Sequence, residues 1–229
     1  VTVRAAAVIP AAGAGLRLGG VPKSFLPLAG QPILQHSIEP FLADPRVEHV
    51  VVALAADAAA DTPEWLRALA PRVRCVQGGE TRGDSVHAAL AAVPASANVI
   101  LVHDAARPLL TRALVRRAID AAAAGRSVVA AVPVTDTVQQ VDPAGTIIAT
   151  PDRDMLRNAQ TPQAFPSDVI RAAYARARAD GIRATDDAAL VIRYGGTVSV
   201  IEGEVENLKI TVLIDLAIAE ALLHARSRT

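Results

Sequence analysis

One cysteine stands in a chain of 229 residues. Cys75 therefore has no partner for an internal disulfide and no companion for a thiolate metal site, and a reducing, cytoplasmic setting is expected. Aromatic residues make up 3% of the chain, so the core must be built from alanine and branched aliphatics; apolar residues are 52%. Charge of one sign is also missing, because 23 Lys and Arg balance 23 Asp and Glu. No Lys/Arg block exceeds two residues, which argues against a nucleic-acid or membrane surface as partner. The apolar run Ala5–Ile9 is cut by Pro10 and far short of the roughly 20 residues of a membrane span. His36, His49, His87, His103 and His224 lack metal-ligand spacing, and no G-x-S-x-G nucleophile elbow occurs.

What is present is an alternation. Val47–Ala55, Val73–Val76, Val99–His103 and Ser127–Val132 are short and valine-rich, as buried parallel strands are. Between them Pro32–Ala43, Pro63–Leu69, Asp84–Val93 and Arg112–Ala124 carry helical spacing. Pro40 should kink or end the first of these. Asp84 or Ser85 should cap the third, and Thr111 and Gly125 should bound the last. The pattern predicts a doubly wound, mostly parallel α/β sheet with its ligand crevice at the carboxyl ends of the strands. It breaks between Pro133 and Pro162, where Thr137–Val141 and Thr146–Thr150 flank Asp142-Pro-Ala-Gly145, a hairpin turn. Such an insertion is a lid or a dimerisation arm. Pro166–Arg178 and Thr185–Tyr194 then predict helices, Thr197–Ile201 a strand and Asp215–Ala225 a last helix. The length suits one domain over 1–229, with an arm at about 134–160.

The first strand runs into Pro10-Ala11-Ala12-Gly13-Ala14-Gly15-Leu16-Arg17, followed by Pro22-Lys23. Glycines there allow a tight turn whose N–H groups face an anion, with two cations close by. A dinucleotide fingerprint fails because Leu18 stands at the third small position. A P-loop fails because Val21-Pro22 separate Gly20 from Lys23. At the end of the strand Val99–His103, Asp104 either binds Mg²⁺ or caps the next turn, and Arg107 either forks onto a phosphate or pairs with Asp104. Gly78-Gly79-Glu80 lets a ligand approach the backbone. His103 is expected as a buried strand-end histidine. Lys209, between apolar neighbours, is either a pocket cation or a snorkelling lysine.

Taken in order, PAAGxGxR…PK, GGExRxDSV, VHDAARP, Asp136-Thr137, Asp152-Arg153, Thr161-Pro162-Gln163, Thr185–Ala188 and Asn207–Thr211 resemble the 2-C-methyl-D-erythritol 4-phosphate cytidylyltransferase family of the non-mevalonate isoprenoid pathway. The resemblance covers about Val3 to Leu223. It implies a Rossmann-like nucleotidyltransferase fold, CTP as substrate, Mg²⁺ as cofactor and release of pyrophosphate. It also implies that Arg17 and Lys23 stabilise the transition state, with Arg153 and Lys209 also catalytic. Pro10, Ala11, Ala12, Gly13, Gly15, Gly79, Glu80, Ser85, Asp104 and Ala105 would line the nucleotide site, Asp104 meeting a metal held by the phosphates. Arg107, Thr137, Arg153, Thr161, Thr185 and Lys209 would hold the substrate phosphate. In the family Thr137 and Arg153 come from the neighbouring subunit, which implies a homodimer. Leu16, where some members have arginine, and Glu80, where aspartate is common, depart from the pattern.

Three other readings share parts of these motifs. One is an enzyme for ribitol 5-phosphate or another polyol phosphate, whose CTP loops would look alike. Another is a non-catalytic nucleotide-binding protein of the same fold, which the presence of both Arg17 and Lys23 argues against. The third is an NAD-dependent oxidoreductase, disfavoured by Leu18.

Overall fold

The computed structural model describes residues 2–13, 22–183 and 185–226. Its first strand, β1 (Ala5–Ala11), is buried along almost its whole length. After a short β2–β3 hairpin (Pro27–Leu28, Gln31–Pro32) come α1 (Ile33–Leu42), β4 (Val47–Leu54), α2 (Ala56–Ala60), α3 (Glu64–Arg67) and β5 (Val73–Gln77). Then follow α4 (Arg82–Ala92), β6 (Val99–Val102), α5 (Arg112–Ala123) and β7 (Ser127–Pro133). A small hairpin, β8 (Gln140–Val141) and β9 (Ile147–Ala149), precedes β10 (Arg157–Pro166). The remaining elements are α6 (Ser167–Ala179), α7 (Asp187–Arg193), β11 (Val198–Glu202) and α8 (Leu213–Arg226).

Seven strands form one sheet in the order β11-β7-β10-β6-β1-β4-β5. All neighbours are parallel except β10, which runs antiparallel to both β6 and β7. The chain moves outward from β1 to β4 and β5, then crosses back to β6 on the other side of β1. That reversal opens a crevice at the carboxyl ends of β1 and β6, where ligands of such sheets bind.

Successive residues of a strand point to opposite faces. Ala5, Ala7, Ile9 and Ala11 of β1 pack with Leu34, Ile38 and Phe41 of α1 and with Leu114, Ala118 and Ile119 of α5. Ala6 and Val8 face the other way, toward Val86 and Leu90 of α4 and Ile170 and Tyr174 of α6. No helix among the described residues is long and apolar enough to cross a membrane.

Four local expectations are corrected. α1 runs through Pro40 to Leu42; the proline falls in the last turn, where its missing N–H removes only one bond before the helix ends. The cap of α4 is Thr81, whose side chain accepts from the Asp84 N–H while Asp84 reaches back, a capping box. Helical spacing over Pro63–Leu69 resolves to the single turn α3. Finally, β10 was not legible in sequence, and its first residues fall within the stretch expected as arm. The turn at Asp142 is as expected: Oδ1 accepts from the N–H groups of Ala144 and Thr146 at 2.9 and 2.8 Å, and Gly145 has φ 86°.

Candidate active site

The crevice beyond β1 and β6 holds a cavity of about 200 Å³. Its walls are Pro10–Gly13 from the end of β1, Lys23 and Ser24, Gly79–Arg82 with Ser85, Asp104–Ala106 after β6, and Lys209. Eleven residues named from the motifs (Pro10, Ala11, Ala12, Gly13, Lys23, Gly79, Glu80, Ser85, Asp104, Ala105, Lys209) meet there. Gly15 and Arg17 lie outside the described residues.

Close packing explains the paired glycines. A Cβ on Gly78 would stand 2.6 Å from the Ala12 Cβ and one on Gly79 would stand 2.3 Å from the Asp84 Cβ. The Gly78 N–H donates to the Leu54 carbonyl at 2.7 Å and the Gly79 N–H to Ser85 Oγ at 3.2 Å. Buried Ser85 thus shapes the loop from beneath.

An ion-pair chain built on two buried carboxylates, Asp104 and Asp187, crosses the floor. Arg82 reaches Asp104 Oδ1 through Nε at 2.9 Å and Asp187 Oδ2 through Nη2 at 2.7 Å. Lys209 Nζ meets Asp104 Oδ2 at 2.8 Å. Asp187, fully buried, also accepts from the Tyr174 hydroxyl at 2.5 Å. Burial pushes the Asp104 carboxyl up, but Arg82 and Lys209 together outweigh it and hold the group below the usual carboxylate range. Burial likewise pulls the Arg82 guanidinium down, and the Asp187 and Asp104 charges override that and raise it. Lys209 is therefore a pocket cation, and the partner of Asp104 is Arg82 rather than Arg107.

Beside the first cavity lies a second, of about 160 Å³, lined by Arg82, Asp104, Arg107, Ala159–Thr161, Gln163, Thr185, Asp186 and Lys209. Arg82, Asp104 and Lys209 belong to both. Arg107 is fixed by carbonyls, donating to Asn207 O at 2.7 Å and Ala159 O at 3.2 Å. The Asn207–Lys209 loop is tied in turn: Asn207 Nδ2 donates to Thr161 O at 2.8 Å, and the Ile210 N–H to Ala106 O at 2.8 Å. The Ile210 carbonyl accepts from Lys23 Nζ at 2.6 Å, which brings that lysine to the cavity wall. Thr161 Oγ1 accepts from the Asp104 N–H at 3.0 Å and sits 2.9 Å from His103 Nδ1.

Two named residues are not brought to this floor. Arg153 is exposed near the hairpin and donates to the Thr135 carbonyl at 3.2 Å; Thr137 is exposed close by. Sequence reasoning missed the roles of Arg82, Tyr174, Asp187, Gln160 and Gln163. The Thr81-x-x-Asp84 box was a usable signal for the start of α4, and so for Arg82 at its first turn. Nothing local marks Asp187 as the buried carboxylate and Asp186 as the helix cap.

Among the described residues, no three His, Cys, Asp or Glu side chains converge on a metal position. Asp104 nonetheless fits a hard cation whose other ligands are phosphate oxygens and water, because each of its ion-paired oxygens keeps a further lone pair.

A mostly parallel α/β sheet with a glycine-lined, cation-walled crevice at its switch point defines a nucleotidyltransferase. The family model for 2-C-methyl-D-erythritol 4-phosphate cytidylyltransferase (IspD) matches residues 5–225. The chain belongs to that family. The protein of that name from Symbiobacterium thermophilum is 47% identical over 226 residues, covering 96% of this chain and 93% of its own. The one from Saccharopolyspora erythraea is 48% identical over 222 residues, covering 95% and 98%. In three dimensions the chain is similar to 2-C-methyl-D-erythritol 4-phosphate cytidylyltransferase from Thermus thermophilus, with a TM-score of 0.82, 35% identity, and 97% and 100% of the two chains covered. It is also similar to 4-diphosphocytidyl-2C-methyl-D-erythritol synthase from Anaerococcus prevotii, with a TM-score of 0.86, 29% identity and 97% of each chain covered.

Proposed function

We propose that this protein transfers CMP from CTP to 2-C-methyl-D-erythritol 4-phosphate, releasing pyrophosphate, with the nucleotide in the first cavity and the acceptor's phosphate in the second. The observation that carries the assignment is the shared wall of Arg82, Asp104 and Lys209. A phosphate anion in one cavity and an α-phosphorus in the other would meet across it.

An acceptor phosphate oxygen attacks the α-phosphorus, the new P–O bond forms in line, and the bond to the bridging oxygen of pyrophosphate breaks. With a second pKa of about 6, the acceptor is largely dianionic at neutral pH and no general base is needed. The protein's task is alignment and charge neutralisation. Backbone N–H groups at Ala12–Gly13 receive the nucleotide, beside the Gly78-Gly79 loop, whose own N–H groups go to Leu54 O and Ser85 Oγ. Lys23 and Arg17 stabilise charge that builds on the α- and β-phosphates. Arg107, Thr185 and Lys209 hold the acceptor phosphate. Asp104 is the residue that would hold a Mg²⁺ arriving with the triphosphate, and such an ion would supply further neutralisation of the leaving pyrophosphate.

The chain acts as one nucleotidyltransferase domain in a homodimer, with Thr137 and Arg153 reaching the partner's second cavity. Support comes from the arm itself, where Val141, Ile147, Ile148 and Met155 are 52–81% exposed. An apolar surface of that kind marks an interface.

Pyrophosphate release from CTP with a panel of polyol phosphates tests the assignment. Turnover should be fastest with 2-C-methyl-D-erythritol 4-phosphate. A clear preference for ribitol 5-phosphate would overturn the acceptor, and CTP binding with no turnover on any acceptor would overturn the activity.

A further inference from the structure

Gln163 lies in the antiparallel strand β10, paired with Val102 of β6 on one side and Val129 of β7 on the other. Its buried side chain leaves the sheet and meets the entry to α7. Oε1 accepts from the Ala188 N–H at 2.9 Å, and Nε2 donates to Asp186 Oδ2 at 2.6 Å. An N–H can only donate and an ionised carboxylate can only accept, so these partners fix which way round the amide stands. Asp186 is engaged through its other oxygen too: Oδ1 caps α7 by accepting from the Ala189 N–H at 2.9 Å.

This clamp reaches the transfer site on both sides. Thr185, the residue before Asp186, lines the second cavity, as do Gln163 and Asp186 themselves. Asp187, the residue after, receives Arg82 at 2.7 Å, and Arg82 belongs to the wall shared by the two cavities. Ala188, Leu190 and Val191 pack α7 onto the core, but apolar burial has no direction. The two bonds of the Gln163 amide are directional, and they set where Thr185–Asp187 stands against the sheet.

We propose that Gln163 and Asp186 are positioning residues for the acceptor, a side-chain clamp that carries the geometry of β10 to Thr185 and, through Asp187, to Arg82. Neither touches the reacting atoms. The inference rests on the cytidylyltransferase assignment, and wild-type turnover with CTP and 2-C-methyl-D-erythritol 4-phosphate checks that assignment separately.

Reversing the polarity of one bond tests the clamp. Gln163→Glu sets two carboxylates face to face, and Asp186→Asn sets two amide N–H groups face to face. Either amide could turn over only by giving up its bond to a backbone N–H. Each single change should raise the KM for the acceptor about tenfold, with kcat and the KM for CTP within about threefold of wild type. In Gln163→Glu/Asp186→Asn the bond re-forms with donor and acceptor exchanged, and asparagine remains a good cap for α7. The acceptor KM should then return to within about threefold of wild type. A merely structural pair would show no such split between the two substrates. An acceptor KM unchanged in the singles, a CTP KM raised equally, or a double variant no better than the singles would overturn the proposal. Should a single change prevent folding, the double should fold with the wild-type acceptor KM, and its failure to fold would equally overturn it. Independently of any substrate, amide hydrogen exchange at Ala188 should quicken about tenfold or more in Asp186→Asn and slow again in the double. Unchanged exchange in the single variant would overturn the clamp while leaving the assignment intact.

Discussion

The floor of the crevice and the β8–β9 arm solve opposite problems. On the floor, buried carboxylates are answered within the chain: Asp104 by Arg82 and Lys209, Asp187 by Arg82 and Tyr174. On the arm, apolar side chains stand in solvent, Met155 at 81% and Ile148 at 58% exposure. Among the described residues, the Arg153 side chain donates to the carbonyl of Thr135. Preorganised charge needs a rigid, dry setting, and the sheet edge provides it. The proposed homodimer would cover that apolar surface with a second copy.

The contrast can be broken most forcefully at the floor. Lys23→Ala should lower kcat by about two to three powers of ten, the scale of losing one preorganised stabiliser of developing charge. Near-wild-type turnover in that variant would remove Lys23 from the chemistry.

A second test lies at the base of the core. Asp44, buried, accepts from Arg46 Nε at 3.0 Å and Nη2 at 2.8 Å. The Arg46 hydrogen bonds outweigh burial and hold its carboxyl below the ordinary value of 3.8. A depressed carboxyl contributes stability that is present above the unfolded value and is lost as pH falls through the folded one. Asp44→Asn should therefore cost about 1–2 kcal/mol near neutral pH in urea unfolding, and the gap to wild type should close in acid. A gap independent of pH would contradict the pairing.

Smaller still is Gly79→Ala. Its Cβ would collide with Asp84, so the loop must shift, and the KM for CTP should rise about tenfold, or roughly 1.4 kcal/mol. The smallest expected effect is on the arm. Ile148→Ser should leave chain unfolding within about 0.5 kcal/mol of wild type while weakening dimerisation by sedimentation. Chain destabilisation with the dimer intact would reverse the contrast.

Much of the floor was legible because its loops follow valine-rich strands whose type and order read directly from the pattern. The central antiparallel strand was not. Arg157–Pro166 contains two prolines and little alternation, and its buried Gln160, Thr161 and Gln163 are satisfied by Glu204, His103 and Asp186. Those partners are 23 to 58 residues away, beyond the reach of local periodicity. Arg82 escaped for the same reason, since it bridges Asp104 and Asp187 across 22 and 105 residues. The hairpin turn at Asp142 was readable because its chemistry is local.

The division of labour between floor and arm is tested most directly by mixing two defective subunits, Lys23→Ala with an intact arm and Arg153→Ala with an intact floor. In purified heterodimers one floor would face one good arm, and turnover should recover to about half that of the wild-type dimer, from one working site of two. Heterodimers no more active than their parents would contradict the account, placing Arg153 in the site of its own chain.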